Sequence, residues 1–342
     1  MHSAMNEVTE LTRSSRGVYT RAWLAEHFLR AVHAPTRMCR SAAQRRSSAH
    51  ARLMQSLGAT SYQAVPIDRR EDLSPEEFER AYLKTDTPVV MVGAARHWRA
   101  VQEWTPIGFG RRFPDEPIRL LKAGPNETLE PGTGRVTTFG DVIGQMEAGQ
   151  MPYIRFSTVL HSHPELVDEL DEPWLIQMRR APKGAGTFGL FLGGEGTATG
   201  LHSAMAPNLF VQVHGRRCWS IYPAHFGPFF SPEVDASPFF VSHVDAHQVE
   251  HEVVSRLPVY EVELEPGDVL FNPAFFWHQV RNLSAGIGVG YRWTSLRQAL
   301  RTTTAQSVIT MTATNPSILK MRNQRDLSKL VDSRKRSTTA AH

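Results

Sequence analysis

The stretch Thr199–Pro223 constrains the fold most, because it combines two strand-like segments with a histidine just ahead of them. From Leu209 to His214, aliphatic side chains alternate with aromatic or polar ones, which is the two-residue period of a β-strand. Gly215-Arg216 supplies a turn, and a second alternation runs from Arg217 to Tyr222. The pattern predicts a β-hairpin with His202 directly before its first strand.

A second block, Val259–Trp293, is predicted to be the partner of the first. Residues 260–265 alternate, Pro266-Gly267 turns the chain, residues 268–273 run back, and Trp277-His278 comes next. Further short strands are predicted at residues 88–93, 152–156 and 188–193. Many short strands and two long hairpins predict a mainly β fold, a jelly-roll barrel with flanking helices.

Two helices have clear N-terminal signals. Ser74-Pro-Glu-Glu77 places serine at the N-cap and proline at the first helical position, which predicts a helix to about Leu83. Thr138-Phe-Gly-Asp141 predicts a second helix, to about Glu147. Before residue 60 the pattern predicts one helix, Thr20–Val32.

The order of motifs resembles a known family. The run from His202 through Asn208-Leu-Phe and Gly215-Arg-Arg to Tyr222-Pro, then Pro266-Gly-Asp-Val-Leu-Phe-Asn-Pro and Trp277-His278, is similar to the JmjC/cupin-like oxygenases. The pattern is most similar to the branch that contains the asparaginyl hydroxylase of hypoxia factors, and it covers about residues 65–295. The resemblance implies a double-stranded β-helix, an Fe(II) ion, 2-oxoglutarate and O2.

In that family a His-x-Asp pair and a distant histidine hold the iron. Residues i and i+2 of a strand point to the same side, so the pair can reach one ion. Three ligands on one face leave open positions for 2-oxoglutarate and O2. The resemblance places His202 and His278 at the two histidine positions, but Ala204 stands where the carboxylate is expected.

Three outcomes are compatible with Ala204, and the sequence leaves them open. A chloride ion bound at the vacated position would resemble the 2-oxoglutarate halogenases, and this is the interpretation that we favour. A catalytically inactive binding module is the second. The third is a hydroxylase in which water or a remote acid completes the set of metal ligands, and the candidate acids are Glu195 and Asp245. Residues 224–258 contain several prolines and predict a long loop. His243-Val-Asp245 within it also has the His-x-Asp spacing, but we interpret this as a coincidence.

The resemblance also implies a co-substrate site. Arg217 stands at the position of the family's 2-oxoglutarate lysine, and a guanidinium can pair with a carboxylate through two hydrogen bonds. Thr199, Asn208 and Tyr153 match polar co-substrate contacts, and Arg292 is an alternative anchor for the same carboxylate. Five aromatic residues could line the pocket, but the interpretation that we favour places them in the core: Trp219, Trp277, Trp293, Phe275 and Phe276.

We predict three parts of the chain: a partly helical N-terminal extension at 1–60, the JmjC/cupin-like domain at 61–297 and a basic C-terminal tail at 298–342. The net charge of +4 comes mostly from arginines and lysines near the two ends. No basic motif with interleaved aromatic residues is present, so the composition gives no support to nucleic acid as a partner.

Two cysteines, Cys39 and Cys218, form no disulfide framework and indicate a reducing compartment. No stretch reaches the roughly 18 apolar residues of a membrane span, and no signal-peptide pattern begins the sequence. These features predict a cytoplasmic protein without a membrane partner. The substrate, a small molecule or a peptide, and the oligomeric state have no readable signal.

Overall fold

The computed structural model describes residues 3–58, 64–121, 135–180, 186–248, 250–317 and 319–320. Its α-helices are α1 (Ser3–Leu11), α2 (Arg13–Ala31), α3 (Thr36–Ser56), α4 (Pro75–Phe78), α5 (Arg99–Glu103), α6 (Pro106–Arg112), α7 (Phe139–Glu147), α8 (Val159–Ser162), α9 (Glu172–Arg179), α10 (Glu252–Ser255), α11 (Leu296–Thr302) and α12 (Thr304–Thr312). A π-helical turn, Glu79–Leu83, continues α4, and two 3-10 helices span Pro164–Glu169 and Ala224–Phe230.

The strands are β1 (Val65–Pro66), β2 (Asp68–Arg70), β3 (Val89–Met91), β4 (Pro117–Leu121), β5 (Arg135–Thr138), β6 (Tyr153–Ser157), β7 (Gly186–Gly193), β8 (Ala198–Ser203), β9 (Asn208–His214), β10 (Arg217–Tyr222), β11 (Phe240–Val241), β12 (Tyr260–Leu264), β13 (Val269–Asn272), β14 (Trp277–Asn282) and β15 (Gly286–Trp293). They form a six-stranded sheet in the order β1-β12-β10-β14-β8-β11 and a nine-stranded sheet in the order β2-β3-β13-β9-β15-β7-β6-β4-β5. Two facing, mostly antiparallel sheets with flanking helices confirm the predicted mainly β jelly roll.

The predicted hairpin between Leu209 and Tyr222 is wrong, because β9 and β10 lie in different sheets. The turn at Gly215 is a corner at which the chain crosses from one sheet to the other, and its φ of 69° suits glycine. Gly267 makes the matching corner between β12 and β13, with φ 94°. The two predicted blocks are nevertheless partners, since β9 pairs with β13 and β10 pairs with β12.

The two predicted helix starts are present. The Ser74 side chain accepts a hydrogen bond from the Glu77 amide and begins α4. Thr138 and Asp141 form a reciprocal capping box that begins α7. The amides of a first helical turn have no hydrogen-bond acceptor within the helix, and these caps supply one. The need for a cap is why the signals could be recognised from the residues alone.

Strand β9 buries both of its faces. Leu209, Val211 and Val213 pack into a cluster under the helices that cover the nine-stranded sheet. Phe210 points the other way, into the space between the two sheets, where it meets Trp219 with ring centres 4.9 Å apart. The inner faces of both sheets therefore enclose one interior, and the candidate site lies there.

The N-terminal segment is more helical than predicted. The expected helix Thr20–Val32 coincides with the second half of α2, and the structure adds helices α1 and α3. Glu26 of α2 is 1% exposed and forms ion pairs with Arg30 at 2.8 Å and with Arg46 of α3 at 2.7 Å. Burying an acid requires such partners, so the triad joins the two helices.

The N-terminal helices also pack against the barrel. Tyr19, Trp23 and Leu53 belong to the same hydrophobic cluster as the inner residues of the six-stranded sheet. The predicted division at residues 60 and 297 stays a prediction, and the structure adds that the segment before residue 60 shares a hydrophobic core with the barrel. The predicted C-terminal tail begins within α11, and residues 321–342 lie outside the described residues.

The proline-rich segment 224–258, predicted to be a long loop, is largely buried and carries a 3-10 helix, β11 and α10. Phe226, Phe229 and Phe230 fill the core below β14. Strand β11 pairs with β8 alongside His202, so this segment forms one edge of the site. None of the described helices is long and apolar enough to span a membrane.

Candidate functional site

The structure brings His202 and His278 together. They lie opposite each other on the neighbouring antiparallel strands β8 and β14, with His278 in register with His202. Their ring centres are 4.2 Å apart and the ring planes cross at 55°. One strand pairing thus joins two residues that are far apart in the chain.

Both imidazoles are held in the same tautomer. Nδ1 of His202 is 2.9 Å from the Gly200 carbonyl oxygen, and Nδ1 of His278 is 3.0 Å from the Phe276 carbonyl oxygen. A carbonyl only accepts, so each Nδ1 carries the hydrogen and donates it. Each Nε2 therefore keeps its lone pair, which is the form in which histidine binds a metal.

The two histidines are neutral in the folded protein. Burial is the main reason that the pKa of His202 falls to about 4, and the charges of Arg292 and Arg155 lower it further. Burial and the neighbouring His202 hold the pKa of His278 well below its ordinary value. No proton has to be removed from either ring before an ion can bind.

The ring spacing fits two ligands of one ion. A metal-bound imidazole nitrogen lies about 2.1 Å from the ion, which puts the ring centre about 3.2 Å away. If the two nitrogen–metal bonds are at a right angle, the ring centres are about 4.5 Å apart. This is close to the 4.2 Å between the ring centres of His202 and His278. Within the described residues no group of three or more His, Cys, Asp or Glu side chains could hold a metal ion.

A small cavity opens beside the two rings, with a volume of about 20 Å³. Six of the eight predicted site residues line it: Tyr153, Thr199, His202, Arg217, His278 and Arg292. The remaining wall is apolar and comes from Phe156, Phe191, Phe210, Trp219 and Val280. Neither Asn208 nor Ala204 is part of this lining, and no acidic residue of the described chain is.

Two of the predicted polar contacts meet each other. The hydroxyl groups of Tyr153 on β6 and Thr199 on β8 share a hydrogen bond of 3.0 Å, and both residues are buried. Asn208 is buried too, and it stands opposite Asn272 on β13. The Asn272 amide lies 3.2 Å from Nδ1 of His278, so Asn208 is placed behind the histidine rather than in the cavity wall.

Arg217 is a fully buried guanidinium without a carboxylate partner in the described chain. Its Nη2 donates to the carbonyl oxygens of Phe191 at 3.1 Å and Gly286 at 3.5 Å, and its Nε has no partner among the described residues. Its face covers the Phe210 ring, with Cζ 5.2 Å from the ring centre. Burial lowers its pKa. A buried cation with spare donors that lines a cavity is suited to an incoming anion.

Arg292 is the second cationic group of the cavity. Its guanidinium lies over two aromatic rings, with Cζ 4.8 Å from the centre of Phe156 and 5.4 Å from that of Phe191. Burial lowers its pKa to about 10, so it stays charged at neutral pH. Among the described residues it has no carboxylate partner and no hydrogen bond.

The acids considered as substitute ligands lie elsewhere. Glu195 is exposed in the turn before β8. Asp245 accepts hydrogen bonds from the Gln279 side chain at 2.5 Å and the His247 amide at 3.0 Å. His243 is largely exposed and pairs with Glu233 at 2.9 Å, so His243 and Asp245 form no shared site. A remote protein carboxylate is therefore not available from these positions.

Ala204 directly follows β8, and its carbonyl oxygen accepts a hydrogen bond of 2.7 Å from the Phe275 amide. The Ser203 hydroxyl donates to the Phe275 carbonyl at 2.8 Å. Phe275 itself has φ 58°, a left-handed conformation that is unusual for a bulky residue. These bonds tie the end of β8 to the turn before His278 and so fix the two histidines relative to each other.

The sequence pattern did not reveal the aromatic wall or Asn272. Trp219, predicted to be a core residue, both packs in the core and stacks on His278 with ring centres 5.4 Å apart. The remaining residues of that group, Trp277, Trp293, Phe275 and Phe276, do pack in the core clusters. Asn272 stands inside the Pro266–Pro273 motif, which was the available signal for it.

Comparisons with known proteins agree with this architecture. A family model described as a cupin-like domain matches residues 75–299, which is more than half of the chain. The chain is 25% identical over 236 residues to the lysine-specific demethylase JMJ30 of Arabidopsis thaliana, covering 67% of this chain and 55% of that protein. It is 23% identical over 234 residues to the Jumonji C domain-containing protein 5 of Drosophila melanogaster, covering 64% and 58%.

A third relative is the lysine-specific demethylase 8 of Xenopus tropicalis, 24% identical over 226 residues, with 64% of this chain and 51% of that protein covered. The chain thus spans about half the length of these curated relatives. Two facing sheets, a histidine pair across β8 and β14, and the extent of the family match lead to one conclusion: the chain belongs to the cupin-like domain family.

Proposed function

We propose that this protein is a non-haem Fe(II)- and 2-oxoglutarate-dependent oxidoreductase whose protein ligands are His202 and His278 alone. The observation that carries the proposal is the pair of neutral imidazoles, 4.2 Å apart at their ring centres, beside a cavity with two guanidinium groups. Bound Fe(II), 2-oxoglutarate and O2 would supply the oxidation, with the keto acid leaving as succinate and CO2.

The residues present fit that co-substrate. Arg217 would bind its distal carboxylate, since a buried guanidinium with spare donors prefers a charged, bidentate acceptor. Tyr153 and Thr199, joined by their hydrogen bond, stand on the same cavity wall as Arg217 and the histidines and would supply hydroxyl contacts. The aromatic wall would exclude water and strengthen these polar contacts.

The position at Ala204 is then filled by a small exchangeable ligand, because a methyl group cannot bind iron. With water there, the product expected from the family is a hydroxylated substrate, in which one oxygen atom of O2 is inserted into a C–H bond. A chloride ion there is the second candidate, and transfer of that halogen in place of hydroxyl would make the protein a halogenase. The Arg292 guanidinium, which lines the cavity together with the two histidines, favours an anion near the metal and so supports chloride binding.

Two of the relatives are named as lysine-specific demethylases, but the cavity of this chain is poorly suited to a lysine side chain. Acidic groups would be needed to offset a lysine ammonium in a buried site, and the described cavity lining contains none. Arg292 would instead repel it. We therefore assign the oxidation chemistry without the lysine specificity.

An anaerobic titration tests the proposal. Wild-type protein, His202→Ala and Ala204→Asp are titrated with Fe(II) and 2-oxoglutarate, and the weak visible charge-transfer band of the chelated keto acid is recorded with and without chloride. We expect the band in wild type, its loss in His202→Ala and its persistence in Ala204→Asp, where the carboxylate restores a third protein ligand. His243→Ala, which changes an exposed histidine outside the cavity, is the matched control and keeps the band.

The outcomes separate the candidates. A band that shifts with chloride in wild type but not in Ala204→Asp supports halide binding at the vacated position. A band that is the same with and without chloride supports water at the vacated position and a hydroxylase. Absence of any band in wild type, with the protein folded, would show an inactive binding module and overturn the proposal.

A further inference from the structure

The two guanidinium groups of the cavity come from different strands. On β15, Gly288 lies against Arg217: a Cβ added at Gly288 would stand 2.5 Å from its Nη1. Arg292 branches from the same strand four residues further on, so its Cα lies about 13 Å from that of Gly288 at the usual rise per residue. The two arginines therefore reach the cavity from different positions along the barrel.

Arg292 stands at the height of the histidines. It is in register with Asn208 on β9, Asn208 is in register with Asn272 on β13, and the Asn272 amide contacts Nδ1 of His278. Arg217 is the deep cation and Arg292 is the one beside the metal position.

We propose that Arg292 binds an oxyanion group of the substrate, a carboxylate or a phosphate, next to the reacting carbon. This inference rests on the proposed function, because it assumes that the deep Arg217 is taken by the distal carboxylate of 2-oxoglutarate. The half-buried Arg292 is fixed by the rings of Phe156 and Phe191 and has all of its hydrogen-bond donors free of described partners. The substrate is accordingly an acid.

The alternative partners for Arg292 are few. No acidic residue of the described chain lines the cavity, so the guanidinium has no internal counter-ion there. At the neighbouring Gly290 an added Cβ would stand 3.1 Å from Asn208 Oδ1 and 3.5 Å from the Phe191 ring, so the space beside Arg292 on β15 depends on a glycine there. An anionic ligand at Arg292 would have no protein carboxylate of the described cavity lining to displace.

Three probes that share a methyl group and differ in charge test the assignment: acetate, methyl phosphate and methylammonium. Mn(II) replaces iron, 2-oxoglutarate is saturating, and the paramagnetic relaxation of each methyl proton signal reports its distance from the metal. We expect enhanced relaxation for one or both anions and none for methylammonium. Arg292→Gln should weaken the anion affinity at least tenfold, while Arg216→Gln, an exposed neighbour of Arg217 on the outside of the barrel, leaves it unchanged.

Calorimetry of 2-oxoglutarate binding to the Mn(II) protein separates this inference from the proposed function. If wild type fails to bind 2-oxoglutarate, the proposed function falls, and the same probes applied to metal-free Arg217→Met protein, observed by saturation transfer, still decide whether Arg292 binds an anion. Loss of 2-oxoglutarate affinity in Arg292→Gln with retention in Arg217→Met would show that Arg292 is the co-substrate anchor and overturn the inference. Anion relaxation that is the same in Arg292→Gln and wild type would overturn it as well.

Discussion

Replacing Arg217 with methionine is expected to stabilise the ligand-free protein and to weaken co-substrate binding. The guanidinium is fully buried and has two carbonyl acceptors, one at 3.1 Å and one at 3.5 Å, but no carboxylate in the described chain. A site built for an anion keeps this cation desolvated before the anion binds. Methionine fills a similar volume and carries no charge to desolvate.

The expected change in the free energy of unfolding is the sum of opposing contributions. Exchange of a poorly compensated buried charge for an apolar side chain of similar size is worth up to about 4 kcal/mol. The lost hydrogen bond to Phe191 and the lost contact with the Phe210 ring each offset about 1 kcal/mol of that gain. A net stabilisation of about 1–2 kcal/mol raises Tm by roughly 2–8 °C for a domain of this size.

Co-substrate binding changes in the opposite direction. A charge-assisted hydrogen bond contributes about 1.5–3 kcal/mol, so Kd for 2-oxoglutarate should rise about 10- to 150-fold in Arg217→Met. Wild-type protein at a 2-oxoglutarate concentration of about 100 Kd gains about 2.7 kcal/mol of stability. The variant should gain only about 0.3–1.4 kcal/mol at the same concentration.

Differential scanning calorimetry with and without Mn(II) and 2-oxoglutarate measures both effects in one experiment. Arg216→Met is the control, because Arg216 is half-exposed and its ion pair with Glu263 contributes less than about 1 kcal/mol. A ligand-free Arg217→Met protein that melts below Arg216→Met would refute the argument that Arg217 is a poorly compensated charge. An unchanged Kd for 2-oxoglutarate would refute its assignment as the anchor.

Two further predictions concern the cavity and the pH response. Gly288→Ala places a methyl group 2.3 Å from the Phe210 ring and 2.5 Å from Arg217. It should therefore weaken 2-oxoglutarate binding in calorimetry and destabilise the protein by about 1–3 kcal/mol, whereas Gly290→Ala should do neither to the same degree. His225 has its pKa lowered to about 4, chiefly by burial and then by Arg16, so the unfolded chain binds its proton first as the pH falls. The contribution of His225 to stability is complete above about pH 6.5 and declines towards about pH 4. Urea unfolding should therefore show a smaller loss of stability over that interval for His225→Gln than for wild type. An equal loss in the two proteins would contradict the assignment.

Much of the candidate site could be predicted from the sequence because its residues stand at characteristic positions in recognisable strands. The alternation in β9 and β10 identified the strands that carry Asn208 and Arg217, and the motif order identified His202 and His278. Asn272 was missed although it lies within a motif, because its contact with His278 depends on how β13 and β14 meet in space. The aromatic wall could not be separated from ordinary core residues, since both have the same composition.

The hairpin predicted around Gly215 shows the limit of local patterns. Two alternating segments look the same whether they pair with each other or turn a corner between sheets. Only the pairing of β9 with β13 and of β10 with β12 decides between them. The N-terminal helices are a second case, because nothing near Glu26 in the sequence shows that Arg46 reaches it across the helix pair.

The sequence by itself determined local features: the strand period, the helix caps, and an alanine, Ala204, where the family resemblance leads one to expect a carboxylate. The tertiary structure alone decided which side chains share a space, namely that two distant imidazoles stand in register and that two guanidinium groups line the cavity beside them. The physical reason is that backbone conformation is governed by neighbours along the chain, whereas charge, burial and metal geometry are governed by neighbours in space.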